Sequence, residues 1–167
     1  LPSFYIDFEG QHSKLSNYRS SARDMQKEIQ RISKENLDAL IVDLRTNGGG
    51  SLTESIKVSG LFFDKGPVVQ IKESDGSIYP HADKDGKTFY KGPLILLIGR
   101  QSASASEIFA GAIKDYERGL IIGDDHTFGK GTVQNLNDIG VKLGATKVTI
   151  SKFYRPSGSS TQLNGVA

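Results

Sequence analysis

The chain has 167 residues, 37% hydrophobic and 24% charged, with a formal net charge of +2. That length suits one domain with a sizeable core. Its interleaved lysines and acids offer no dedicated nucleic-acid surface, and its lack of cysteine excludes disulfides, thiolate metal sites and a cysteine nucleophile.

In chain order, Leu1 to Phe8 alternates Phe4, Ile6 and Phe8 with polar neighbours, which predicts a strand. Arg19 to Asn36 predicts a helix with Met25, Ile29 and Ile32 on one face. Ala39 to Leu44 is a continuous apolar run with one acid, the pattern of a strand covered on both faces. Asn47-Gly-Gly-Gly50 ends it, and helical spacing resumes from Ser51 to Phe62. Gly66 to Ile71 predicts a strand, with turns at Ser74–Gly76 and Asp83–Gly86 around a hairpin. Leu94 to Gly99 is the longest apolar run; it has strand length and falls far short of the ~20 residues of a membrane helix. Ser104 to Tyr116 predicts a helix, Leu120 to Gly123 a strand, and Val141 to Tyr154 one or two strands. The last dozen residues, polar and rich in Ser and Gly, are expected to be loose. Alternating strands and helices predict an α/β layered fold.

Three small-residue segments lie at strand ends, where open α/β sheets build their sites. Ser102-Ala-Ser-Ala-Ser-Glu107 occupies a strand-to-helix turn. There a serine can be exposed beside helix N-terminal amides, with the Ala105 N–H free for a developing oxyanion. The structural alternative is an N-cap, with Glu107 completing a capping box on Ser104. The glycines at 48–50 permit positive φ and expose amides, as a second oxyanion donor or as a simple tight turn. They lack the spacings of nucleotide loops. In Phe128-Gly-Lys-Gly131, Lys130 is either a solvated turn residue or, if tucked inward, a lysine whose lowered pKa makes it a general base. His126 offers a Ser–His alternative, while His12 and His81 lie in polar, loop-like sequence. No His/Asp/Glu cluster has metal-ligand spacing, so neither metal nor other cofactor is expected.

DLRTNGGG (43–50), SASASEIFAGA (102–112) and TFGKGTVQ (127–134), in this order, closely resemble the C-terminal processing, or tail-specific, serine peptidases. LPSFY at the start and KFYRPSGSSTQ near the end extend the resemblance over nearly the whole chain. It implies a ClpP/crotonase-like spiral of β-β-α units, with residues 1–167 forming a single truncated catalytic core. It further implies Ser104 as nucleophile, Lys130 as base and Gln134 as the residue that positions Lys130, with the two sharing a helix face if that segment is helical. Ala105 with a Gly49 or Gly50 amide would form the oxyanion hole, and Glu107, Asp115 and Thr127 would support the site. For Asp115 the alternative is a surface acid at a helix end.

The implied substrates are protein C-terminal tails with apolar ends. A PDZ domain preceding Leu1 would recognise them, further chain would follow Ala167, and the location would be periplasmic or at the cell envelope. Two other readings remain: a crotonase-like acyl-CoA enzyme, and a non-catalytic peptide-binding core.

Overall fold

A computed structural model describes residues 1–140 and 143–167. The chain runs through α1 (Phe8–His12), α2 (Ser21–Ile32), β1 (Leu40–Asp43), α3 (Leu52–Gly60), β2 (Val69–Lys72), β3 (Ile78–His81), β4 (Leu94–Ile98), α4 (Ala105–Asp115), β5 (Leu120–Gly123), β6 (Thr132–Asp138) and β7 (Ala145–Tyr154). The strands form a parallel sheet, β1-β4-β5, and an antiparallel sheet, β3-β2-β7-β6. The architecture is mixed α/β, as the alternating pattern predicts. Among the described residues no helix is long and apolar enough to cross a membrane.

The parallel sheet aligns Leu40 with Leu94 and Ile95 with Leu120, so the three strands end together. The chain leaves the C-terminal end of β1 through the Asn47–Gly50 turn and that of β4 through the serine-rich turn. Both turns therefore arise at one end of the sheet. Helix α4 is buried from Ala105 to Ile113, which its small and apolar residues permit on every side. Phe109 stacks with Phe62 at 5.6 Å between centroids and meets Phe4 edge-on at 6.2 Å. Full burial of such a side chain contributes about 1.5–3 kcal/mol. On its other flank α4 sends Ile108 and Ala112 against Val69, Ile71 and Phe153 of the antiparallel sheet. The helix carrying the serine turn is thus wedged between both sheets.

Several elements differ from their sequence patterns. Leu1–Phe8 forms isolated bridges only, Phe4 with Gly50 and Ile6 with Ser20. Asp7 caps Gly10 N instead, starting α1 at Phe8. In β1 one face alone is covered: Val42 is buried but Ile41 is 58% exposed. The hairpin around Ser74–Gly76 forms as predicted, pairing Val69 with His81. The residues after Lys130 build β6, which no apolar pattern marked, and β7 begins at Ala145. The expected start of that strand at Val141 lies outside the described residues. The last dozen residues are not loose, for Thr161 and Val166 are fully buried.

Candidate active site

Ser104 sits immediately before α4 with φ 57° and ψ −113°. A non-glycine residue in this region stores about 1–3 kcal/mol and persists only where its surroundings hold it. Here the Glu107 carboxylate accepts the Ser104 N–H at 2.8 Å, one half of a capping box. The Ser104 hydroxyl has the placement of the other half, but it forms no cap hydrogen bond. Ser102 and Ser106 are committed elsewhere: Ser102 Oγ donates to Leu44 O at 2.7 Å, and Ser106 Oγ to Asn47 O at 2.8 Å. Of the serines in this turn, Ser104 alone lines the adjoining cleft of about 360 Å³.

The glycine turn lies against the serine turn. A Cβ at Gly49 would come within 2.8 Å of Ala103 O and 2.9 Å of Ser104 Cβ, so only glycine allows this approach. The Gly49 N–H donates to Asn47 Oδ1 at 2.9 Å, and Gly49 O accepts from Phe4 N. Among the described residues, the amides of Gly50 and Ala105 have no acceptor. Both of these residues line the cleft, whereas Gly49 holds the turn in place.

Glu107 is fully buried and joins the serine turn to the lysine loop. Its Oε2 accepts from Ser104 N and from Lys130 N, the latter at 2.9 Å. Its Oε1 accepts from Thr127 Oγ1 at 2.7 Å and Gly129 N at 2.6 Å. One oxygen therefore registers the backbones of both Ser104 and Lys130. Thr127 is buried beneath the loop and also accepts from Val166 N at 2.8 Å.

Lys130 lines the same cleft as Ser104 and donates from Nζ to Gln134 Oε1 at 3.1 Å. The segment after it is strand rather than helix, with Gly131 followed by β-branched Thr132 and Val133. Gln134 makes this contact from a strand whose register shifts between Val133 and Gln134. Burial holds the Lys130 amine below the ordinary lysine range; the like charge of Lys147 adds to this, and the Glu107 carboxylate opposes it. Lys147 stands on β7 opposite Leu136 and also lines the cleft.

Asp115 is not part of this cleft. It lies at the far end of α4, where it pairs with Arg155 and accepts from Ser157 N at 3.0 Å. Its side chain is only 8% exposed, so it is no surface acid. None of the histidines lines the cleft; His126 Nδ1 meets Thr127 O at 2.6 Å. Sequence reasoning missed Lys147. The signal lay in the register of the 132–154 hairpin, which places Lys147 across from the strand that follows Lys130.

Two sheets flank a buried helix, and the strained Ser104 and partly buried Lys130 line one cleft of this α/β core. Peptidase family S41 matches residues 5–167, and the chain belongs to this family. It is 47% identical to the Tail-specific protease of Haemophilus influenzae, over all of this chain and 23% of that protein. It is 37% identical to the chloroplastic C-terminal processing peptidase of Tetradesmus obliquus, over 85% of this chain and 30% of that one. The solved photosystem II D1 C-terminal processing protease superposes with a TM-score of 0.76 at 35% identity, covering 88% of this chain and 38% of its own. The chain thus spans well under half the length of these relatives.

Proposed function

We propose that residues 1–167 are the catalytic core of a serine endopeptidase that cleaves the C-terminal regions of protein substrates through a Ser104–Lys130 dyad. The observation that carries this reading is the shared cleft, lined both by Ser104 and by Lys130, whose amine has a lowered pKa. A neutral amine has one lone pair and two N–H bonds. Gln134 Oε1 can hold one N–H and leave the lone pair for Ser104.

In the reaction, Lys130 Nζ takes the Ser104 Oγ proton as Oγ bonds to the scissile carbonyl carbon. The carbonyl oxygen gains negative charge, and the Gly50 and Ala105 amides donate to it. The lysine ammonium then protonates the leaving nitrogen as the C–N bond breaks. A water then gives one proton to Lys130 as its oxygen bonds to the ester carbon, and Lys130 returns that proton to Ser104 Oγ as the C–Oγ bond breaks, which frees the acid product and restores both residues. Leu52, Ile108 and Phe153 line the same cleft and suit an apolar substrate side chain. Recognition of the tail itself would fall to a PDZ domain of the longer chain. Membership of peptidase family S41 and the similarity to tail-specific and C-terminal processing peptidases favour a peptidase over an acyl-CoA enzyme or a non-catalytic core.

A lysine base requires cleavage to rise with pH through the Lys130 pKa, because the neutral amine is the active form. Replacing Lys147 by Gln removes a like charge, raises that pKa and moves the acidic limb to higher pH. The pH profile of kcat/KM for full-length Lys147→Gln checks this. A limb that stays in place or moves to lower pH contradicts the assignment of Lys130.

A further inference from the structure

The residues that close the described chain wrap the loop carrying Lys130 on the side opposite Glu107. Thr161 is fully buried, and its Oγ1 donates to Lys130 O at 2.7 Å. Gln162 Oε1 accepts from Gly131 N at 2.8 Å, and Leu163 N donates to Gly129 O at 2.8 Å. Thr127 N donates to Val166 O at 3.1 Å. Contact is close enough to require glycine on both sides of Lys130. A Cβ at Gly129 would lie 2.9 Å from Leu163 C, and one at Gly131 2.8 Å from Gln162 Cβ. Leu163 adopts φ 69° although its side chain is 80% exposed, so backbone strain is accepted where the segment meets the loop.

Between them, Glu107 and this segment hold the Gly129 N–H and C=O, the Lys130 N–H and C=O and the Gly131 N–H. The backbone at Lys130 is fixed from both sides, and the freedom left at this residue is in its side chain.

We propose that Thr161 is a positioning residue for Lys130, the central tie of a strap formed by residues 161–166 that sets how deeply the lysine enters the cleft. The proposal rests on the dyad reading above. Threonine suits the role because its hydroxyl supplies the donor that Lys130 O needs, while its methyl fills buried space. Removing the donor leaves a partly buried carbonyl without this partner and lets the loop lift toward solvent. The charged groups acting on Lys130 are Glu107 from α4 and Lys147 from β7, and neither is hydrogen-bonded to Thr161. Lifting therefore weakens the desolvation that lowers the amine's pKa, and that pKa rises.

The test compares Thr161→Val, Thr161→Ser and Lys130→Ala in the full-length chain. It measures the rate of Ser104 modification by a fluorophosphonate across pH, together with thermal unfolding. Thr161→Val is expected to react about tenfold or more slowly at neutral pH, with its acidic limb moved to higher pH. Thr161→Ser, which keeps the donor, is expected to follow the parent chain. If Thr161→Val has the parent's limb while Lys130→Ala is inert, the strap proposal falls and the dyad stands. Slowing without movement of the limb also overturns it, since that is what a merely structural residue would give. If Lys130→Ala reacts as the parent does, the dyad itself fails. Should Thr161→Val not fold, Gln162→Met decides. It removes the acceptor of Gly131 N from an exposed side chain, and an unmoved limb again overturns the proposal.

Discussion

Lys130→Ala in the full-length chain is expected to lower kcat/KM for an unfolded, apolar-tailed polypeptide by about 10²–10⁴-fold, the usual contribution of a positioned general base. Thermal stability should not fall with it. A lysine whose folded pKa is lowered disfavours folding wherever the amine is charged, so its loss relieves a desolvation cost. Lys130→Arg should be equally inactive, because a guanidinium stays protonated and has no lone pair to accept the Ser104 proton. Steady-state cleavage beside a melting curve separates these effects. Retention of parental activity by either variant would remove Lys130 from the mechanism.

Glu107→Leu is the second substitution with a large effect, and it acts on stability and rate together. It strips acceptors from Ser104 N, Thr127 Oγ1, Gly129 N and Lys130 N. Each buried donor left without an acceptor costs about 1–3 kcal/mol, so the loss amounts to several kcal/mol. Glu107→Gln should rescue little. Each carboxylate oxygen receives two donors, so either orientation of the amide turns an NH2 toward two N–H or O–H groups. Urea unfolding of Glu107→Gln checks this, and parental stability with parental rate would show that the carboxylate is not what holds Ser104 and Lys130 in register.

Much of the frame is local in origin and legible for that reason. The apolar runs Leu40–Val42 and Leu94–Leu97 specify strands whatever their partners, and α4 announces itself through Ile108, Phe109 and Ile113. What escaped reading depends on distant partners. β6 reads as polar on both faces and exists through pairing with β7, so Thr132–Asp138 carries little strand signal of its own. The supposition of a helix through Lys130 and Gln134 gives way to glycines that must lie flat against Gln162 and Leu163. Thr161 looks like part of a polar tail until the Lys130 carbonyl is found above it.

The site shows the same division. Ser104 and Glu107 are recognisable as a capping box from spacing alone. That the same carboxylate reaches Gly129 and Lys130 is a property of the fold. Gly49 and Gly50 look alike in sequence, yet Asn47 Oδ1 occupies one amide and leaves the other without an acceptor among the described residues. Lys147, well separated from Lys130 along the chain, becomes its electrostatic neighbour through the β6–β7 register.

Ser104 as nucleophile and Lys130 as the group that activates it can both be checked by treating the full-length chain with a fluorophosphonate and locating the adduct by mass spectrometry. One phosphonylated residue, Ser104, is expected, with no adduct at that position in Lys130→Ala at the same pH. An adduct on another side chain, or undiminished modification of Ser104 without Lys130, would contradict these roles.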